Sequence, residues 1–180
     1  MQIHSFGSLT LQPALEHPGL LGDPVREALT SWEHADEVGV AEIDPDLADT
    51  AAMTEAYGVS LEASANCVVV MGRRDGEERA AACVVRADTK ADVNNVVKRT
   101  LDVRKASFLN HDRAVTETGM EYGGITPVGI PSGWRLFLDP RVVEIETAII
   151  GSGIRGSKLF LPGRLLGLLP GAEVVEDLAH

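Results

Sequence analysis

The rhythm of apolar and polar positions changes along the chain. In residues 23–34, Val25, Ala28, Leu29 and Trp32 recur at helical spacing, behind Asp23-Pro24 as N-cap and first helical position. Residues 33–49 are polar and acidic and read as a surface connection, with an exposed strand at 38–43 and a turn at Asp44-Pro45-Asp46. Asp49-Thr50 predicts the cap of a short helix that runs to Tyr57 and stops at Gly58.

From Asn66 onward the period shortens. Residues 67–71 and 80–85 are apolar runs on either side of a turn carrying Asp75-Gly76, which predicts a central hairpin buried on both faces. Val93, Val96, Val97 and Leu101 then form a helical stripe. Residues 105–109 read as a strand, and 112–118 as a two-turn helix closed by Gly119. The last third is rich in glycine, with strand-like segments at Arg135–Leu138, 147–150 and Ser157–Leu161, and a short leucine-rich helix opened by Pro162. Short strands broken by short helices, with no regular βαβ period, predict an α+β fold: a mixed, curled sheet with short flanking helices. No internal repeat or low-complexity segment interrupts the pattern.

Composition narrows the class. A length of 180 residues predicts a single domain over 1–180, with an N-terminal helix and acidic extension at 1–45 and a core at 46–180. No apolar run reaches the roughly 18 residues that span a bilayer, and the start MQIHSFGSLTLQ has no signal-peptide pattern. The expectation is a cytoplasmic protein without a membrane partner. Cys67 and Cys83 lie in apolar runs and read as buried thiols in a reducing compartment. The net charge of −11 is confined to residues 1–62, which hold twelve acids and one base, while 63–180 are balanced at fifteen each. Such a balance argues against DNA as a partner but leaves room for a local site that takes one nucleic-acid end.

Few segments carry a chemical pattern. Gly151-Ser152-Gly153-Ile154-Arg155-Gly156 fits G-x-G-x-x-G, but Pro162 follows too soon for the helix that would hold a pyrophosphate, so the segment reads as a turn between strands. His4, His17, His34, His111 and His180 are scattered, which gives no metal site and no cofactor; all five read as surface residues. Asp139-Pro140-Arg141, Glu144 and Glu146 read as solvated edges. More telling is 118–129, TGMEYGGITPVG: adjacent glycines allow close backbone approach and can aim amides at an oxyanion.

That segment, followed by a strand ending Gly-Ser-Gly-Ile-Arg at 151–155, resembles the YbaK/prolyl-tRNA-synthetase-associated editing family over residues 46–169. The resemblance implies an aminoacyl-tRNA deacylase, a hydrolase that protects translation fidelity by clearing misacylated tRNA. Its partners would be the aminoacyl-tRNA 3′ end and an aminoacyl-tRNA synthetase. It also implies site residues. Gly124 and Gly153 would stabilise the oxyanion, and Gly123, Gly151 and Ser152 would border the pocket together with Thr126, Pro127 and Arg155. Asp49, Thr50 and Met53 match the helix beside that pocket.

One position departs from the family. Where the family has a lysine at the start of its first central strand, this chain has Asn66. Lysine offers a point charge; asparagine offers donors and an acceptor without charge. The departure leaves three outcomes: Asn66 acts differently, Arg155 or Lys158 supplies the cation, or the protein is a non-catalytic module that binds an amino acid or a tRNA end.

Overall fold

The computed structural model describes residues 4–180; Met1, Gln2 and Ile3, the head of the segment read for a signal peptide, lie outside the described residues. Eleven strands form among them: β1 (Ser5–Phe6), β2 (Leu9–Thr10), β3 (Gln12–Pro13), β4 (Gly39–Glu42), β5 (Ala65–Arg74), β6 (Glu77–Arg86), β7 (Ala106–Phe108), β8 (Arg135–Leu138), β9 (Ala148–Gly151), β10 (Ser157–Leu161) and β11 (Ala172–Val174). The helices are short: α1 (Asp23–Thr30), α2 (Thr50–Tyr57), α3 (Lys98–Thr100), α4 (His111–Thr118), α5 (Pro140–Val143) and α6 (Gly163–Leu166). Two sheets carry the fold, one ordered β3-β4-β10-β9 and one ordered β11-β8-β6-β5-β7, beside the small β1-β2 ribbon. The larger is mixed, since β8 runs parallel to both β6 and β11 while the other pairs are antiparallel.

Local chemistry explains the best-defined elements. Asp75 and Gly76 both take positive φ, 52° and 83°, so the Asp-Gly turn closes the β5–β6 hairpin in register from Ala65↔Arg86 to Arg74↔Glu77. Asp49 caps α2 by accepting from the Ala51 and Ala52 amides, and Gly58 ends it in the left-handed region. Asn110 and Gly119 frame α4 in the same way. The stripe from Val93 folds as a π turn over Val93–Val97 that continues into α3.

Three expectations are corrected. The N-cap of α1 is Gly22, and Asp23 instead pairs with Arg26 at 3.0 Å. The strand near residue 40 is internal: β4 lies between β3 and β10, with Gly39, Val40 and Ala41 buried against a core that includes Val38, Ile150 and Leu159. Asp139 is no solvated edge, because its carboxylate is 1% exposed, takes two bonds from the Arg141 guanidinium at 2.8 Å and accepts the Ala179 amide at 3.1 Å. Burial opposes its ionisation, but these donors outweigh burial and hold the carboxyl below its ordinary value.

Candidate active site

The two large sheets meet where β5 begins. Ser64, just ahead of it, forms a parallel bridge to Ile149 of β9, so the first residues of β5 lie beside the end of β9. Here a cleft of about 440 Å³ opens. One wall is Asn66, Cys67 and Val68; another is Ile149, Ile150 and Gly151; α2 contributes Asp49, Thr50 and Met53. The segment Tyr122-Gly123, with Ile125, faces them, and Arg155 and Lys158 complete the lining. An apolar floor with a few converging polar groups is the usual form of a small-molecule site.

Lys158 is the unusual member. It sits in a strand buried along its whole length, is 8% exposed, and pairs across the sheet with Gly151. Its Nζ approaches the Gly123 carbonyl oxygen at 3.4 Å. Burial, reinforced by the nearby Arg155 charge and only partly offset by Asp49, lowers its pKa from the ordinary 10.5 to about 8. Arg155 donates to the carbonyl oxygens of Tyr122 and Pro45, both at 3.0 Å, and so ties the glycine segment to the turn ahead of α2. Among the described residues it has no carboxylate partner, so its charge adds to that of Lys158.

Asn66 accepts the Thr50 hydroxyl at 2.9 Å, which leaves its amide nitrogen as the donating end. Asp49 uses one carboxylate oxygen to cap α2. Ser64 is 3% exposed, and its hydroxyl has no hydrogen-bond partner among the described residues. The Cys67 thiol is pushed up to about 12 by burial and stays protonated.

The two glycine segments do converge, but back to back. Gly153 donates its amide to the Gly124 carbonyl oxygen at 2.7 Å, and the Gly124 amide goes to Glu121 at 2.9 Å. Both amides named as oxyanion donors are thus engaged within the protein. A Cβ on Gly151 would come within 2.5 Å of the Gly124 oxygen and 2.7 Å of the Ile125 oxygen, which is why this crossing needs glycine. Gly151→Ala is expected to cost about 1–3 kcal/mol, seen as a lower urea midpoint, because backbone and not a flexible side chain must give way.

Of the residues singled out in the sequence, Asp49, Thr50, Met53, Asn66, Gly123, Gly151, Arg155 and Lys158 border the cleft. Ser152 lies behind it, fully buried, with its hydroxyl 2.7 Å from that of Ser157. Thr126 is fully buried with an unpartnered hydroxyl, and Pro127 borders a separate depression beside Trp32. Sequence reasoning missed Ser64, Cys67, Tyr122 and the isoleucines 125, 149 and 150. Lys158, named in the sequence as one of two possible sources of the cation, is favoured over Arg155 by its place inside the buried run Ser-Lys-Leu-Phe-Leu, since a charge in a buried strand is costly without a use. No group of three or more His, Cys, Asp or Glu side chains gathers to hold a metal ion among the described residues.

Comparison with known proteins gives this geometry a class. The aminoacyl-tRNA editing domain family matches residues 44–168, the span that holds β5 to β10 and the cleft, and the chain belongs to that family. Membership gives the protein an editing-related role. It is 28% identical over 154 residues to the uncharacterized protein YwhH of Bacillus subtilis (strain 168), covering 86% of this chain and 94% of that one. The fold is shared with the crystal structure of hypothetical protein APE2540, at TM-score 0.75 and 20% identity over 88% of this chain and all of the other. It is also shared with a structure described as "a putative trans-editing enzyme for prolyl tRNA synthetase", at TM-score 0.71 and 18% identity, covering 87% of this chain and 97% of that one. No helix among the described residues is long and apolar enough to cross a membrane.

Proposed function

We propose that the protein hydrolyses the ester of misacylated tRNA in trans, with Lys158 supplying the charge that the family places at the position of Asn66. The observation that carries this reading is the buried ammonium of Lys158 in the same cleft as Asn66. A water oriented by the neighbouring hydroxyl of the terminal ribose adds to the ester carbonyl and gives up a proton, and negative charge grows on the carbonyl oxygen. The Lys158 ammonium and the Asn66 amide nitrogen are the donors suited to that oxygen, in a site where partial burial strengthens each bond. The free oxygen of Asp49 suits the α-ammonium of the aminoacyl group, and the isoleucine floor suits a short side chain. The bond to the tRNA's 2′(3′)-oxygen breaks, that oxygen takes up the proton the water released, and a free amino acid departs.

The test is deacylation of a panel of tRNAs mischarged with small amino acids. Hydrolysis well above the buffer rate for at least one member is expected; buffer rates throughout would end the proposal. Asn66→Lys separates this reading from that of a binding module that lost its cation. With Lys158 already charged, a second ammonium beside it should repel it and break the Thr50 bond, so activity should fall several-fold. A module without its cation would instead gain activity from an inert parent.

A further inference from the structure

We infer that a groove leading out of the cleft across Phe108 to Lys98 and Arg99 receives the single-stranded acceptor end of the tRNA. The inference rests on the editing reading and adds where the RNA lies. The cleft shares Asn66 and Val68 with a second depression of about 420 Å³, which also takes in Lys90 and Phe108. That depression in turn shares Asn94 with a third, of about 360 Å³, bordered by Lys98 and Arg99. Each depression thus borders the next through shared lining residues, which sets out a path for a single RNA strand from the basic end to the cleft.

The chemistry along this path is that of a single-stranded nucleic-acid track. Phe108 stands at the edge strand β7 with 63% of its surface exposed, a flat apolar face on which a base can stack. Asn94 presents its amide on the exposed side of the π turn, while the Asn95 amide nitrogen is held by the Asp92 carboxylate at 3.0 Å. Arg74, Lys90, Lys98 and Arg99 line the two outer depressions against Asp92 and Asp102, a side-chain excess of two positive charges beside the chain end at His180, in a chain of net −11. Arg74 and Arg79 are held by Asp102, but Lys90, Lys98 and Arg99 have no carboxylate partner among the described residues, so their charges remain available to phosphates. The overall negative charge repels RNA elsewhere, which confines docking to this path.

The test compares the full protein with Phe108→Ala and with Lys98→Glu/Arg99→Glu, two surface variants remote from the reacting ester. Each is measured for anisotropy with a fluorescein-labelled RNA minihelix ending in CCA, and for hydrolysis of one aminoacyl group carried either on tRNA or on adenosine alone. Phe108→Ala should weaken minihelix binding about tenfold. The double charge reversal should weaken it at least as much and flatten the dependence of log affinity on log salt by about 1 to 2. Hydrolysis of the tRNA ester should fall in step, while that of the adenosine ester stays at the wild-type rate. Equal behaviour of variants and wild type on the minihelix and on tRNA overturns the track and leaves the editing reading standing. Equal loss on both esters also overturns it, because the substitutions would then act on the cleft. If no ester is hydrolysed but minihelix binding still depends on these residues, the track stands and the hydrolytic reading falls.

Discussion

Lys158→Met should lose about 10²–10³-fold in deacylation and at the same time stabilise the protein, an opposition that a purely structural lysine would not produce. The activity loss follows from removing the ammonium that faces the developing oxyanion. The stability gain follows from burial: the fold holds Lys158 at about 8 against 10.5 when exposed, so at neutral pH it carries a charge that the folded state disfavours. Methionine fills a similar volume without that cost, and the gain should be on the order of 1–3 kcal/mol. The sign fixes the pH window. A lysine whose folded pKa is depressed makes the wild type relatively more stable as pH climbs from about 8 to 10.5, so the advantage of methionine should fade over that range. Urea unfolding on both sides of pH 8 reads the stability, and single-turnover deacylation reads the activity. Catalysis relative to buffer hydrolysis should decline as pH rises through 8, since the neutral amine cannot support the oxyanion.

Asp139→Ala should destabilise the fold by about 3 kcal/mol while leaving the cleft residues in place. The carboxylate is buried, bonded twice by Arg141 and once by the Ala179 amide, and it caps α5 through the Arg141 amide at 2.9 Å. Its loss strips the Arg141 guanidinium of its carboxylate, leaving it only the Ala179 carbonyl oxygen, and leaves a buried N–H unpaired where the C-terminal segment closes on the larger sheet; unmatched groups of this kind carry most of the penalty. The carboxyl is held below its ordinary 3.8, so the wild type keeps this stabilisation above that pH and loses it as pH falls through the lower folded value. The stability gap between wild type and variant, measured by urea midpoint, should therefore narrow only in strong acid. A variant as stable as wild type at neutral pH would remove Asp139 from the framework.

Where local chemistry dictates the backbone, the fold is legible in the sequence. Asp75-Gly76 announces the hairpin, Asp49 and Gly58 delimit α2, and the apolar runs around Cys67 and Cys83 are the central strands. What stays hidden depends on pairing between distant segments. The burial of β4 comes from its place between β3 and β10, and the burial of Asp139 from the return of the chain end, neither of which leaves a local mark. The site divides in the same way. The glycine segments at 123–124 and 151–153 are conspicuous, but whether their amides face a ligand or each other is settled by the Gly153–Gly124 bond. Lys158 reaches the cleft because β10 pairs antiparallel with β9 and sets it opposite Gly151, a register that no spacing within the chain reveals.

The most direct measurement is a crystal structure with an aminoacyl-adenosine analogue in which an amide replaces the labile ester. An apolar-floored cleft beside a buried cation predicts the analogue's carbonyl oxygen within about 3 Å of Lys158 Nζ, with the Asn66 amide nitrogen as second donor. An analogue seated with that oxygen turned away from both side chains, or bound at another depression, would contradict the assignment of this lysine as the centre of editing.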